Sequence, residues 1–139
     1  MPRDAATALR DGTDLQLISL DPELRDPWPN PDGFHGWAVL GSTAINSPPS
    51  RSILLDALDT GVAEVNAMTG MFACFDPRHG LRVTHNGRRH DFVICFECAA
   101  IRWYVDDTLT QTIAVSGSPQ QAFDQALRDA SIELPTPAD

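Results

Sequence analysis

Hydrophobic and polar residues alternate along Leu15-Gln16-Leu17-Ile18-Ser19-Leu20, and this period of two predicts a first strand. Residues 1–14 show no sustained period and carry mixed charge, so a flexible N-terminal tail is expected there. Four prolines and Gly33 interrupt residues 21–33, which must form an ordered loop or a mobile arm. Phe34-His35-Gly36-Trp37-Ala38-Val39-Leu40 then leads into a second strand. Asn46-Ser47-Pro48-Pro49-Ser50 supplies cap residues and a proline suited to a first helical turn. Behind it Ile53, Leu54, Leu55, Leu58, Val62 and Val65 recur at helical spacing, predicting a helix over 49–66. Gly61 inside that helix costs about 1 kcal/mol relative to alanine. Ser118-Pro119-Gln120-Gln121 matches a capping box, and Ala122, Phe123, Ala126, Leu127 and Ala130 form one face of a second helix behind it.

Between the helices the pattern is that of a β meander whose register can be argued. Asn86-Gly87 is a strong two-residue hairpin signal, and a type I′ turn there pairs His85 with Arg88, Val83 with His90, Arg82 with Asp91 and Leu81 with Phe92. One face then carries Leu81, Val83, Phe92, Ile94, Phe96 and Cys98 and is expected to be core. The other carries Arg82, Thr84, Arg89, Asp91, Val93, Cys95 and Glu97, with Arg82 and Asp91 as a cross-strand ion pair. Past Cys98 the apolar set Ile101, Trp103 and Val105 is out of phase, which a one-residue bulge around Ala99-Ala100 would restore. Asp106-Asp107-Thr108 turns the chain into a last strand, Leu109 to Val115. The expected architecture is α+β: an antiparallel β meander with two helices packed on one face. A single domain over 15–134 and a C-terminal tail over 135–139 complete this reading.

With 139 residues, 42% of them hydrophobic, the chain has enough apolar material for one core. Ten basic residues, all arginine, against 19 acidic ones give a net charge of -9, which repels phosphate backbones and anionic headgroups and makes nucleic acid an unsuitable partner. No stretch reaches the roughly 20 apolar residues of a transmembrane helix, and the first residues lack a signal-peptide core. Three cysteines cannot all pair within the chain, so a reducing cytoplasm is the simpler home, with a periplasmic or secreted location open if a signal was removed.

Those cysteines concentrate the chemistry. Asp76-Pro77-Arg78-His79-Gly80 reads as a turn, and if it closes a hairpin, Phe75 lies opposite Leu81 and Cys74 opposite Arg82. One sheet end then gathers Arg78, His79, Cys95 and Glu97. Cys95-Phe96-Glu97-Cys98 has Cys-x-x-Cys spacing, but inside a strand i and i+3 point to opposite faces, so chelation by both sulfurs would need a bulge within the motif and this register does not favour a bridge between them. Cys74 and Cys95 would stand about 16 Å apart, beyond the reach of a disulfide. Buried cysteines packing as small hydrophobes are the first reading. The second is a metal site for zinc, iron or copper on Cys74, His79, Cys95 and Cys98. The third is a thiol-dependent enzyme or redox protein in which Cys95 reacts, His79 acts as base and Glu97 orients it or opposes the thiolate. His35 beside Phe34 and Trp37 reads as a packed residue, and Trp28, Phe34 and Trp37 as a cover for a sheet edge.

Cys-Phe-Asp-Pro-Arg-His-Gly-Leu-Arg (74–82), Asp-Phe-Val-Ile-Cys-Phe-Glu-Cys (91–98) and Ser-Pro-Gln-Gln (118–121) together resemble a family of uncharacterised bacterial proteins, over a stretch from Phe34 to the final helix. The resemblance implies kinship, with extracytoplasmic members, and brings no activity with it. Without a recognisable catalytic set, the expected function is non-enzymatic. It is a small binding or protein-interaction domain that meets a protein or small-molecule ligand through Arg78, His79, Glu97 and the adjacent sheet face.

Overall fold

The computed structural model describes residues 1–65 and 75–135, so all but the first residue of the expected C-terminal tail lies outside the described residues. Its elements are α1 (Arg3–Asp11), β1 (Thr13–Leu20), β2 (Val39–Ala44), α2 (Pro48–Glu64), β3 (His79–His85), β4 (Arg88–Cys95), β5 (Ala100–Val105), β6 (Thr108–Ala114) and α3 (Gln120–Asp129). The six strands form one antiparallel sheet in the order β2-β1-β3-β4-β5-β6, so the protein is α+β as expected. The order is not a simple meander. β1 lies between β2 and β3, and since both run antiparallel to it they are parallel to each other, which requires the long connection that contains α2.

The β3–β4 hairpin forms in the expected register, from His85 opposite Arg88 through Arg82 opposite Asp91 to His79 opposite Ile94. Asn86 and Gly87 have φ of 53° and 75°, the left-handed pair that a type I′ turn demands. On its other side β3 pairs with β1 and not with a strand from the Asp76–Gly80 turn. Leu81 faces Leu17 and Arg82 faces Gln16 of β1, and His79 and Gly80 begin the strand instead of closing a turn. Phe75 packs on the sheet face under the Arg102 guanidinium, 3.9 Å from its ring, while Cys74 lies outside the described residues.

The Cys-x-x-Cys segment corrects the bulge expectation. β4 ends at Cys95, residues 96–99 turn, and β5 returns with Ala100 opposite Cys95 and Ile101 opposite Ile94. A four-residue hairpin loop, not a bulge in a long strand, shifts the hydrophobic phase. Ala99 takes a φ of 59° in that loop.

Residues 1–14, read as a tail, are ordered: α1 buries Ala5, Ala8 and Leu9, an i, i+3, i+4 stripe too small to stand out by size. Arg10 ties it to Asp56 and Asp59 of α2 at 2.8 and 2.7 Å, and Arg51 of α2 donates to its C-terminal carbonyls at Leu9 and Gly12. Among the described residues there are thus three helices where two were expected. Their buried side chains, including Leu54, Leu55 and Leu58 of α2 and Phe123 and Leu127 of α3, share one cluster with Leu17, Leu81, Phe92, Ile94 and Ile101 from one face of the sheet. Ile53, placed on the same helical stripe by sequence, is 66% exposed. The capping box at α3 does not form: Pro119 occupies the N-cap, and the Ser118 hydroxyl donates to Glu64 at the end of α2.

The opposite face is covered by the proline-rich arm between β1 and β2. Phe34 and Trp37 join Ile18, Leu20 and Val93 in a second buried cluster. Gly80 makes this contact close, because a Cβ there would stand 3.3 Å from the Phe34 ring. The aromatic arm therefore seals a face of the sheet, not its edge.

Candidate functional site

At the end of the sheet where β3 starts and β4 stops, the backbone places Arg78, His79 and the 96–99 loop side by side: the Arg78 amide donates to the Ile94 carbonyl at 3.3 Å. Three of the expected residues meet there. Arg78 pairs with Glu97 at 3.2 Å, with the arginine side chain mostly buried and the carboxylate half-exposed. His79 points to the helix face, where it is 1% exposed and lies against Phe96 and Phe123. Its Nε2 is 2.7 Å from Oδ1 of Asp124 on α3.

Asp124 was invisible in the sequence, since only the docking of α3 brings it to His79. Burial works against its charge, but the hydrogen bond from His79 and the nearby Arg128 prevail and hold its pKa below the ordinary carboxylate value. As a charged acceptor it requires a proton on Nε2. The other ring nitrogen, Nδ1, is buried without a hydrogen-bond partner among the described residues. A cavity of about 10 Å³ adjoins, lined by Asp76, Arg78, His79, Phe96, Glu97 and Gln120. That volume takes about one water-sized group.

The cysteines behave differently from expectation. Cys95 and Cys98 form a disulfide, with Cα atoms 5.1 Å apart, because the motif lies in a turn and the i, i+3 pair no longer straddles a strand. Both residues are buried; Cys95, expected on the face opposite the core, is 1% exposed because the arm covers that face. Each sulfur accepts a backbone N–H, Cys95 Sγ from Cys98 at 3.0 Å and Cys98 Sγ from Asp76 at 3.3 Å. Joined to each other, they supply neither a free nucleophile nor two thiolate ligands in this form. Of the four proposed metal ligands, Cys74 lies outside the described residues and His79 is engaged with Asp124.

A second polar cluster sits on the arm face. Asp91, 1% exposed, accepts from His35 Nε2 at 2.8 Å, from both Nε and Nη2 of Arg82 at 2.8 and 3.0 Å, and from Arg89 Nε at 3.2 Å. Burial opposes its ionisation, but His35 and Arg82 outweigh that and lower its pKa. His35 also stacks on Tyr104 with ring centroids 3.8 Å apart, so this histidine is a packed fastener of the arm, as its aromatic neighbours imply. His35, Asp91 and Asp107 bring donor atoms within 4.8 Å of one another. The guanidinium groups of Arg82 and Arg89 already occupy these carboxylates, and their charge opposes a cation in the same place.

Among the described residues no helix is long and apolar enough to cross a membrane. No family model matches the chain, and neither a curated protein nor a solved structure matches it.

Proposed function

We propose that this chain is a small non-enzymatic binding domain whose ligand meets the sheet end formed by Arg78, His79 and Glu97, with Asp124 behind the imidazole. The observation that carries the reading is that His79, whose buried Nδ1 has no partner among the described residues, lines a cavity of one-group size. Buried polar atoms are almost always satisfied, so an exception next to a cavity calls for a guest. That nitrogen asks for a hydrogen-bond partner, and Asp76 and Glu97 on the same cavity add acceptors. An alcohol, amide or ammonium group of a protein or small molecule suits that set, and the acidic chain favours a neutral or basic partner. The disulfide holds the Glu97-bearing loop in place for this contact and favours an oxidising compartment over the reducing cytoplasm.

The test is chemical-shift mapping of ¹⁵N-labelled protein with butanol, acetamide and butylammonium, including the imidazole nitrogens. Expected is a saturable shift of His79 Nδ1 together with the amides of Arg78, Glu97 and Gln120, weakened by Glu97→Gln for butylammonium. If all three probes leave this end of the sheet unmoved, the reading fails.

A metal site is the second reading, favoured by one feature: an imidazole backed by a carboxylate is how ligand histidines are commonly oriented. It requires the Cys95–Cys98 pair to be reduced before the sulfurs can serve. Elemental analysis of untagged protein, purified with and without reductant, distinguishes the two. Stoichiometric zinc, iron or copper in the reduced sample, lost on His79→Ala, supports the metal reading, and metal-free protein in both removes it.

A further inference from the structure

The far end of the sheet carries a second cavity, of about 470 Å³, between α1 and the β3–β4 hairpin. This is within the size range of small-molecule sites. Its walls come from different elements and differ in charge: Asp4 from α1 on one side and Arg88 from the hairpin on another, where His85 also lines it. Trp103 and His90, both more than nine-tenths buried, also line it, with Val105 beside them.

The two rings fix each other's chemistry. Trp103 Nε1–H donates to Nδ1 of His90 at 3.2 Å, and since an indole nitrogen only donates, that Nδ1 must be unprotonated. The neutral ring then carries its proton on Nε2, which has no hydrogen-bond partner among the described residues. Burial first, then the neighbouring His85 and Arg88, depress the His90 pKa, while Asp106 and Asp4 act the other way, so the ring stays neutral at pH 7. The cavity thus offers an acidic group, a neutral N–H donor, an apolar surface and a basic group, Arg88, whose exposed guanidinium has Asp106 at 3.9 Å and keeps further N–H donors for a ligand. An anion alone would meet Asp4, and a cation alone would meet Arg88.

We propose that this cavity binds a small zwitterion with an apolar body, of the size and chemistry of a free aliphatic α-amino acid. The carboxylate faces Arg88 and the Nε2–H of His90, the ammonium faces Asp4, and the aliphatic chain lies over Trp103 and Val105. This site is separate from the Arg78–His79–Glu97 end and stands whether or not that one binds.

The experiment is titration of the full chain with L-leucine, N-acetyl-L-leucine and L-leucinamide, read by calorimetry and by the Trp103 indole N–H and His90 imidazole resonances. Leucine should shift both resonances saturably, and removing either charge should weaken binding about tenfold, equivalent to about 1.4 kcal/mol. Asp4→Asn should abolish the preference for leucine over the acetylated compound, and Arg88→Gln the preference over the amide. Both positions are exposed, and unchanged urea midpoints would show that the fold is intact. No saturable shift with leucine, or capped compounds that bind as tightly as leucine, would overturn the proposal.

Discussion

Replacing Gly61 by alanine opposes two physical effects, and the structure decides between them. In an isolated helix the change gains about 1 kcal/mol. In this fold the added Cβ would stand 2.5 and 2.8 Å from Cγ and Cδ of Pro119 and 3.1 Å from Cγ2 of Val115. Carbon atoms rest at about 3.5–4.0 Å, so α2 and the segment leading into α3 must separate by about 1 Å. Neither neighbour yields easily, because both are buried and a proline ring has no rotamer to swing away. The same residue's carbonyl accepts the Ser116 N–H at 2.9 Å, a bond that separation would stretch. Overpacking costs about 1–3 kcal/mol and a weakened hydrogen bond about 1 more. Set against the helical gain, Gly61→Ala should destabilise by about 1–3 kcal/mol. Urea unfolding followed by far-UV circular dichroism should show the midpoint falling by about 1 M at unchanged slope, for a slope of about 1–3 kcal/mol/M. Pro119→Ala should relieve part of the loss, giving a favourable coupling in the double-mutant cycle. A midpoint equal to or above that of the parent would refute the packing argument and leave helix propensity in charge.

Reducing Cys95–Cys98 reopens a loop of only four residues, so the loop-entropy model gives a loss of about 2 kcal/mol; urea midpoints with and without a phosphine reductant, in Cys74→Ser protein to prevent exchange, measure it. Asp91→Ala should cost about 3 kcal/mol, the lower end for a broken buried pair, because Arg82 and Arg89 are 38% and 37% exposed and solvent takes up part of their charge; the same denaturation assay checks it, and a loss under about 1 kcal/mol would show that the hub is dispensable. Asp91 and Asp124 both have folded pKa values below the reference value of 3.8, so the unfolded chain binds protons first as pH falls. Their contribution is complete above about pH 5 and is lost as pH drops through 3.8 toward the lower folded values. Asp91→Asn and Asp124→Asn should each flatten the acid limb of a stability-versus-pH curve, and a parent curve with no slope there would contradict the shifts.

Features written in local turn and face chemistry are legible in the sequence. Asn86-Gly87 has one low-energy way to reverse a chain between alternating strands, and that turn carries with it the Arg82–Asp91 pair and the alternation of core and arm-side residues along β3 and β4. The apolar face of α3 is equally local. What no local pattern contains is which surfaces meet. β1 inserts between β2 and β3 because Leu15 and Leu17 complete the core while Ile18 and Leu20 complete the arm cluster, a choice made by two-sided burial and not by neighbours in the chain. Arg78, His79, Cys95 and Glu97 could be gathered from register alone, but the partner that gives His79 its character, Asp124, arrives on a helix 45 residues away. The Cys-x-x-Cys motif reads the same as bulged strand or as hairpin loop until β5 pairs back on β4, and only that pairing turns two opposed side chains into a disulfide. Short-range sterics and turn geometry therefore determined the strands and one register, whereas the sheet order, the His79–Asp124 pair and the disulfide are set by long-range burial, whose free energy appears only when distant segments close on one another.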